Sequence, residues 1–497
     1  MIQIDVLPDD VLLEIFDSYM HSFPSYSSRT ATDHWHPLVH VCQRWRNVVL
    51  ESPRRLDLEL FCTPKTSIRD TLDIWPALPL VIEGNMTSSG MENVIATLGQ
   101  SNRDRVYQVH LEGLAGWQLE QVLAAMQVPF PELDTLDLRL TVDNETPPVI
   151  PDSFLGGSAP QVQFFYLNGI PYPGLLKLRF SATHLFHLEL YNIPVSGYIS
   201  PEAVVTLISV LSCLERLALG FESPPSRPGH VHQTRRPPPS NRFIIPALRH
   251  FYFNGAIDYL EDLVTCIDTP QLYDAQITFI DQIVYESFDA PRLSQFINRT
   301  PKLGKRDRDV TVQFDDDFAR VQLSAGILKI AILCSEPNWQ LSSIKRVCNS
   351  SLHPLSTAED LYIEHQYLQL VWKNDAIKKT LWLQLLLVFT SVKNLYLSKE
   401  AAPGTAAALQ ELEGDRITEI FPCLQNIFVR ELEPSGPFQE RIGQFVAARQ
   451  LSGRPITISN WNKFQSRKLQ PFHSCFHSHS YCIALATKKE LAVAELA

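Results

Sequence analysis

The sequence has little of what membrane, secreted or nucleic-acid-binding chains require. Its longest apolar run, LWLQLLLVF at 381–389, is half the length that crosses a bilayer, so no membrane partner is expected. No basic segment leads into an apolar one near the first residues, and no secretory signal is read there. The nine cysteines are odd in number and scattered, which suits reduced core residues rather than a disulfide framework. The expected location is cytoplasmic and/or nuclear. The Asn-x-Ser/Thr matches at Asn85, Asn144, Asn298 and Asn349 are then chance, because glycosylation needs a secretory route. No basic run outweighs the net charge of −11 and a pI near 5.8, which argues against a nucleic-acid partner.

Catalytic signatures are missing as well. The phosphate-cradling GxxxxGK[ST], the metalloprotease HExxH and the nucleophile-elbow GxSxG do not occur. Gly156 and Gly157 sit in a Ser/Pro-flanked stretch with no phosphate-binding context. His473, Cys475, His477, His479 and Cys482 are zinc-ligand types, but their spacing matches no closed tetrahedral site. No enzyme, cofactor or metal is expected.

What is present begins at IDVLPDDVLLEIFDSYM. Pro8 suits the first turn of a helix, and Asp9 and Asp10 place negative charge at the positive end of its dipole. Val11, Leu12, Ile15, Phe16, Tyr19 and Met20 recur at three- and four-residue steps as one apolar stripe. After a polar insert, 21–34, Asp33 is a candidate N-cap. Leu38, Val41, Cys42, Trp45, Val48 and Val49 then line a second apolar face, opposite Arg44, Arg46 and Asn47, and Pro53 ends it. So small a helical unit buries little by itself, and a docking face and a core face leave the same periodicity.

LPDDVLLEIF followed by VCQRWRNVV resembles the F-box, with the Leu-Pro pair, the Ile-Phe pair and the V-C-x-R-W core in order. Residues 1–55 would form it, about an eighth of the chain. The insert replaces the family's short acidic turn, and Leu56 stands near the place of its closing Trp. The resemblance implies docking on a Skp-type adaptor and, through it, a cullin scaffold and a ubiquitin-conjugating enzyme. Carried over by residue, Leu7, Pro8, Leu12, Ile15 and Phe16 match the first adaptor-facing segment, and Val41, Cys42, Trp45 and Arg46 the second.

Beyond this, strand-like and helix-like stretches alternate: LDLEL, TSIRDTLDIW, LPLVIEG and MENVIATLG. A loose repeat follows, L-x-x-L-x-L, as VYQVHL, LDTLDL, VQFFYL, LFHLEL, LERLAL, LRHFYF, LYDAQI, AEDLYI, VKNLYL and LQNIFV. Successive triads lie roughly 23 to 34 residues apart, with a longer break after LYDAQI. Such periods belong to arrays in which each unit covers its neighbour's apolar face. QLEQVLAAM and PEAVVTLISVLSCL are candidate helical returns.

The pattern resembles an irregular leucine-rich repeat, with Asn168, Asn192 and Asn254 at the family's asparagine position. The expected fold is α/β: a small helical F-box fused to an irregular leucine-rich-repeat-like solenoid, a horseshoe, over 56–460. A large α/β domain with Leu-rich strands would share the pattern.

The Pro-rich stretch 222–241 has Val231 as its one large aliphatic and reads as an extruded loop. VTVQF, between charged runs, reads as an edge strand, and FQERIGQFVAARQLSGRPITIS as a closing helix, turn and strand. Residues 461–497 read as a disordered tail.

Together the resemblances imply the receptor subunit of a Skp–cullin–F-box ubiquitin ligase. It would hold an unknown protein target on solvent-facing strand residues such as Glu189, Tyr191, Arg216 and Tyr252. An F-box protein acting outside ubiquitination, a non-catalytic repeat scaffold and an unrecognised hydrolase remain open alternatives.

Overall fold

The computed structural model describes residues 7–21, 32–53, 55–56, 58–65, 77–86, 90–99, 101–141, 146–222, 242–280, 290–303, 308–323, 327–334, 337–349, 353–365, 376–410, 412, 416–431 and 437–461. All of TSIRDTLDIW, nearly all of the Pro-rich stretch and residues 462–497 with the His/Cys cluster lie outside them. The fold is mixed α/β, built on largely parallel sheet. It divides into two compact units, residues 1–222 and 223–497. Among the described residues no helix is long and apolar enough to cross a membrane.

The first unit opens with helices α1 (Asp9–His21), α2 (Thr32–Val39) and α3 (Gln43–Glu51). As its acidic first turn predicts, α1 starts after Pro8, whose carbonyl accepts from Leu12 N–H at 3.1 Å. The single second helix expected from the 38–49 periodicity is instead two. The chain leaves α2 after Val39, and Cys42 is extended at φ −158°, ψ 169°. Its Sγ accepts from Trp45 N–H at 3.5 Å and so caps α3. A cysteine stands here in place of the usual oxygen-bearing N-cap residue.

Leu12, Leu13, Phe16, Trp35, Val39 and Val49 are buried, and the Phe16 and Trp45 rings lie 4.7 Å apart. The junction to the sheet is folded rather than slack. Trp35 Nε1 donates to the Glu59 carbonyl at 3.1 Å, and Leu56 and Leu58 N–H turn back to Ser52 and Pro53. These turns shorten the expected LDLEL strand, so that pairing begins at Leu60.

Among the described residues nine strands follow: β1 (Leu60–Cys62), β2 (Leu80–Asn85), β3 (Val106–Leu114), β4 (Thr135–Leu140), β5 (Ser158–Ala159), β6 (Phe164–Asn168), β7 (Arg179–Phe180), β8 (His187–Ile193) and β9 (Arg216–Phe221). The main ladder runs β1-β2-β3-β4-β6-β8-β9, parallel throughout, and β5 pairs with β7 beside it. Parallel neighbours need a crossover. Here the returns are α4 (Met91–Thr97), α5 (Gly116–Ala125), α6 (Pro201–Ile208) and short 3-10 turns. Ser200 caps α6 by accepting from Ala203 N–H at 3.2 Å. The helix stops at Ile208, short of the expected Leu214. Gly156, at φ +63°, turns a 3-10 return where a Cβ would stand 2.7 Å from Pro129, so this glycine serves packing.

The apolar triads set the register. Val109, Leu136, Phe165, Leu188 and Leu217 pair in one row, and Leu111, Leu138, Leu167, Leu190 and Leu219 in the next. All are buried. The first triad members, Val106, Leu133, Val162, Leu185 and Leu214, are buried below them.

The second unit carries β10 (Phe243–Ile244), β11 (His250–Gly255), β12 (Ile267–Asp268), β13 (Asp274–Phe279), β14 (Asp309–Phe314), β15 (Phe318–Leu323), β16 (Leu328–Leu333), β17 (Asp360–His365), β18 (Asn394–Leu397), β19 (Asn426–Val429) and β20 (Thr457–Asn460). Its helices are α7 (Ile257–Cys266), α8 (Pro291–Arg299), α9 (Pro337–Asn349), α10 (Ala376–Leu386), α11 (Ala402–Gln410), α12 (Arg416–Glu419) and α13 (Pro437–Leu451). The main ladder is β11-β13-β16-β15-β14-β17-β18-β19-β20, and β10 pairs with β12.

VTVQF, expected at an edge, is interior. As β14 it pairs antiparallel with β15 and parallel with β17, and Val310, Val312 and Phe314 are buried. The meander β14-β15-β16 is an antiparallel insertion in that ladder and explains the long gap between triads. Buried Gln340 fastens it, donating from Nε2 to the carbonyls of Asp315 (2.6 Å) and Cys334 (2.7 Å). Leu361, Leu395 and Ile427 form one buried row beyond it, and Ile363, Leu397 and Val429 the next.

A polar ladder accompanies these rows. Asn394 Nδ2 donates to Asp360 Oδ1 (2.6 Å), Asn426 Nδ2 to Asn394 Oδ1 (2.8 Å), and Thr457 Oγ1 to Asn426 Oδ1. Tyr362, Tyr396 and Phe428 stack at 4.3 and 4.7 Å between centroids. Trp461 closes over the two tyrosines, its N–H bonded to the Val429 carbonyl at 2.8 Å.

Candidate functional site: a helical stripe and a polar strand face

The residues matched to the adaptor-facing segments fall into three groups. Leu12 and Phe16 are fully enclosed and form the helical module's own core, which Trp45 joins from a half-buried position. Cys42 and Arg46 brace the chain: Cys42 caps α3, and Arg46 Nε donates to the Val39 carbonyl at 3.0 Å. Leu7 is half-buried, its carbonyl accepting from Arg44, whose guanidinium also pairs with Asp9 at 2.7 Å. The apolar groups left in solvent are Pro8, Val11 and Ile15 on one stripe of α1, and Val41 in the break between helices. Ile15 is 43% exposed and Val41 58%. Val11, spaced three from Pro8 and four from Ile15, completes the stripe although the motif match does not include it.

The other surface is the strand face of the first unit. Positions between triad residues point away from the core, since successive side chains alternate. One row is Gln108, Thr135, Phe164, His187 and Arg216; the next is His110, Asp137, Tyr166, Glu189 and Ala218. A depression of about 350 Å³ lies between them, lined by residues that include His110, Asp137, Phe164, Tyr166, His187 and Glu189.

Arg139 braces two of the lining residues, Asp137 and Tyr166. It donates to Asp137 at 3.0 and 2.8 Å, pairs with Glu112 at 2.7 Å and lies 4.7 Å over the Tyr166 ring. On the other side Arg216 approaches Glu189 at 3.7 Å, and Phe164 meets His187 edge to face at 4.6 Å. Burial pushes the Glu189 carboxyl above the usual range, opposed by Arg216 and by a hydrogen bond from Tyr191. Burial also pushes the Tyr166 phenol up to about 12.

Of the sequence-predicted target-facing residues, Glu189, Tyr191 and Arg216 therefore meet on β8 and β9. Tyr252 belongs to the second unit, where its hydroxyl donates to Asp274 Oδ2 at 2.9 Å, alongside His250 at 3.2 Å. His110, Asp137, Arg139, Phe164, Tyr166 and His187 were missed. Most follow from the rule that yields Glu189: in L-x-x-L-x-L the residues before and after the second apolar position lie on the sheet face opposite the buried rows.

No protein-family model matches this chain, and neither does any curated protein. Among the described residues, no three His, Cys, Asp or Glu side chains are placed to hold a metal ion. The helical stripe and the strand face differ in chemistry: one is apolar, the other polar and aromatic.

Proposed function

We propose that this chain is the substrate receptor of a Skp–cullin–F-box ubiquitin ligase. The observation that carries the reading is the division of labour in α1. Leu12, Leu13 and Phe16 already close the module's core, while Pro8, Val11 and Ile15 stay in water on the other side. An exposed apolar stripe on a helix is what a partner's groove accepts. The stripe belongs to the segment that resembles the F-box, and the parallel strand-and-return order of each unit suits leucine-rich-repeat-like architecture.

In this reading the helical module binds a Skp-type adaptor and, through it, a cullin, in the cytoplasm or nucleus. The strand face holds a protein target. The chain itself performs no chemistry; it raises the effective concentration of a target lysine near the ubiquitin carrier. The folded junction between Trp35 and Glu59 would fix the target's orientation.

The test is co-purification with a Skp-type adaptor and cullin from cells with the proteasome blocked. Leu7→Ala with Pro8→Ala should lose adaptor and cullin and retain the target. Equal adaptor recovery from wild type and double variant would end the reading. A long Gly/Ser spacer at Ser52 should reduce target ubiquitination while leaving adaptor capture intact.

A further inference from the structure

The depression on the first unit's strand face has an occupant that its chemistry selects. Among the residues lining it, the carboxylates are Asp137 and Glu189; the guanidiniums of Arg139 and Arg216 are not part of the lining. Both carboxylates are largely withdrawn from water, at 13% and 14% side-chain exposure. Glu83, exposed on β2, pairs in register with His110, one of the lining residues. Phe164, 38% exposed, offers an aromatic surface beside His187. Carboxylates next to aromatic faces attract cations, and a planar guanidinium satisfies both at once.

The face already binds one guanidinium in this manner. Arg139 lies over Tyr166 and donates two hydrogen bonds to Asp137. Glu189 is held less closely: Tyr191 donates to it, and the Arg216 guanidinium approaches only to 3.7 Å. From this geometry we propose that the depression receives an arginine side chain presented by a partner polypeptide. Its guanidinium stacks on Phe164 and pairs with Glu189. This rests on the strand face being the target surface, and it names the target's chemistry: a basic segment with a protruding arginine.

The test uses the full-length chain and saturation-transfer NMR with three small probes: N-acetylarginine methylamide, its lysine counterpart and its neutral citrulline counterpart. The arginine probe should bind, the lysine probe at least threefold more weakly, and the citrulline probe not measurably. Glu189→Gln, a neutral isostere, and Phe164→Ala, a truncation of an exposed ring, should each weaken the arginine probe at least fivefold, with unchanged circular dichroism. The proposal is overturned if citrulline binds as well as arginine, if lysine binds as tightly, or if both folded variants bind within twofold of wild type. Adaptor capture measured on the same preparations separates the two readings. Arginine binding without adaptor capture keeps the pocket and ends the ligase assignment; adaptor capture without arginine binding does the reverse.

Discussion

Phe16 and Trp45 stand 4.7 Å apart with their ring planes inclined at 59°, the first fully enclosed and the second half-buried. The contact ties α1 to α3, and it separates residues that build the helical module from those that would serve a partner. Phe16→Ala should cost about 3–5 kcal/mol and melt the module, as large-to-small core changes do. Ile15→Asp, one position away on the wet side, should leave the thermal transition unchanged and reduce adaptor capture at least tenfold. Equal loss of stability in both variants would mean that the wet stripe is not free.

Glu261 of α7 makes a second inter-element fastening. Its carboxylate, 7% exposed, accepts from the backbone N–H of Leu293 at 2.6 Å and of Arg292 at 3.1 Å, capping the start of α8. At a helix N-terminus this acceptor also meets the positive end of the dipole. Glu261→Ala would strand two donors, and about 2–3 kcal/mol should be lost in urea unfolding. A change under about 0.5 kcal/mol, the range of an ordinary surface substitution, would remove the cap from any stabilising role.

The raised Glu189 carboxyl gives a pH-dependent prediction. Its folded pKa lies above its unfolded value, first because of burial and then, more weakly, because of Asp137; Arg216, Tyr191 and Arg139 oppose the shift. Between those two values the folded state binds more protons, so this group's contribution to stability falls as pH rises through the window. Glu189→Gln should therefore raise the melting temperature at pH 7 and lose that advantage near pH 4, where the wild-type carboxyl is itself protonated. A variant less stable than wild type at pH 7 would show that Arg216 outweighs burial.

The ladder from Asp360 through Asn394 and Asn426 to Thr457 joins successive repeats by side chain alone. Asn394→Ala breaks it in the middle and should cost about 1–2 kcal/mol, since both neighbours lose a half-buried partner. Amide exchange should quicken at Leu395 and Leu397 while the β11–β13 pair keeps its protection. Uniform quickening across the second unit would mean that the ladder does not act locally.

Much of the strand pattern was legible because burial on a strand has period two. In Leu185-Leu188-Leu190 the last two residues share one face, and the first lies at the entry turn; this spacing recurs from repeat to repeat, and the matching residues pair in register. The polar strand face was legible from the same spacing, though reading it needed every repeat rather than β8 alone.

Other features depend on partners that one sequence window does not hold. The end of α2 at Val39 was hidden because Leu38, Val41, Trp45 and Val48 keep helical spacing across the break, and a capping thiol is an unusual signal. VTVQF was placed at an edge because its flanks are charged; FARVQL, which pairs with it on one side, was not read as a strand, and its other neighbour, Asp360–His365, lies far along the chain. The Asp137–Arg139–Tyr166 group needs the register of β4 against β6 before its members meet.

Trp461 has a consequence for how far the second unit can be trimmed. By lying across Tyr362 and Tyr396, it shields rings supplied by two earlier strands of the chain. A stop codon just ahead of it would keep every paired strand residue yet leave that aromatic column wet. Shortened forms ending before 461 should therefore become sticky and protease-sensitive well upstream of the cut.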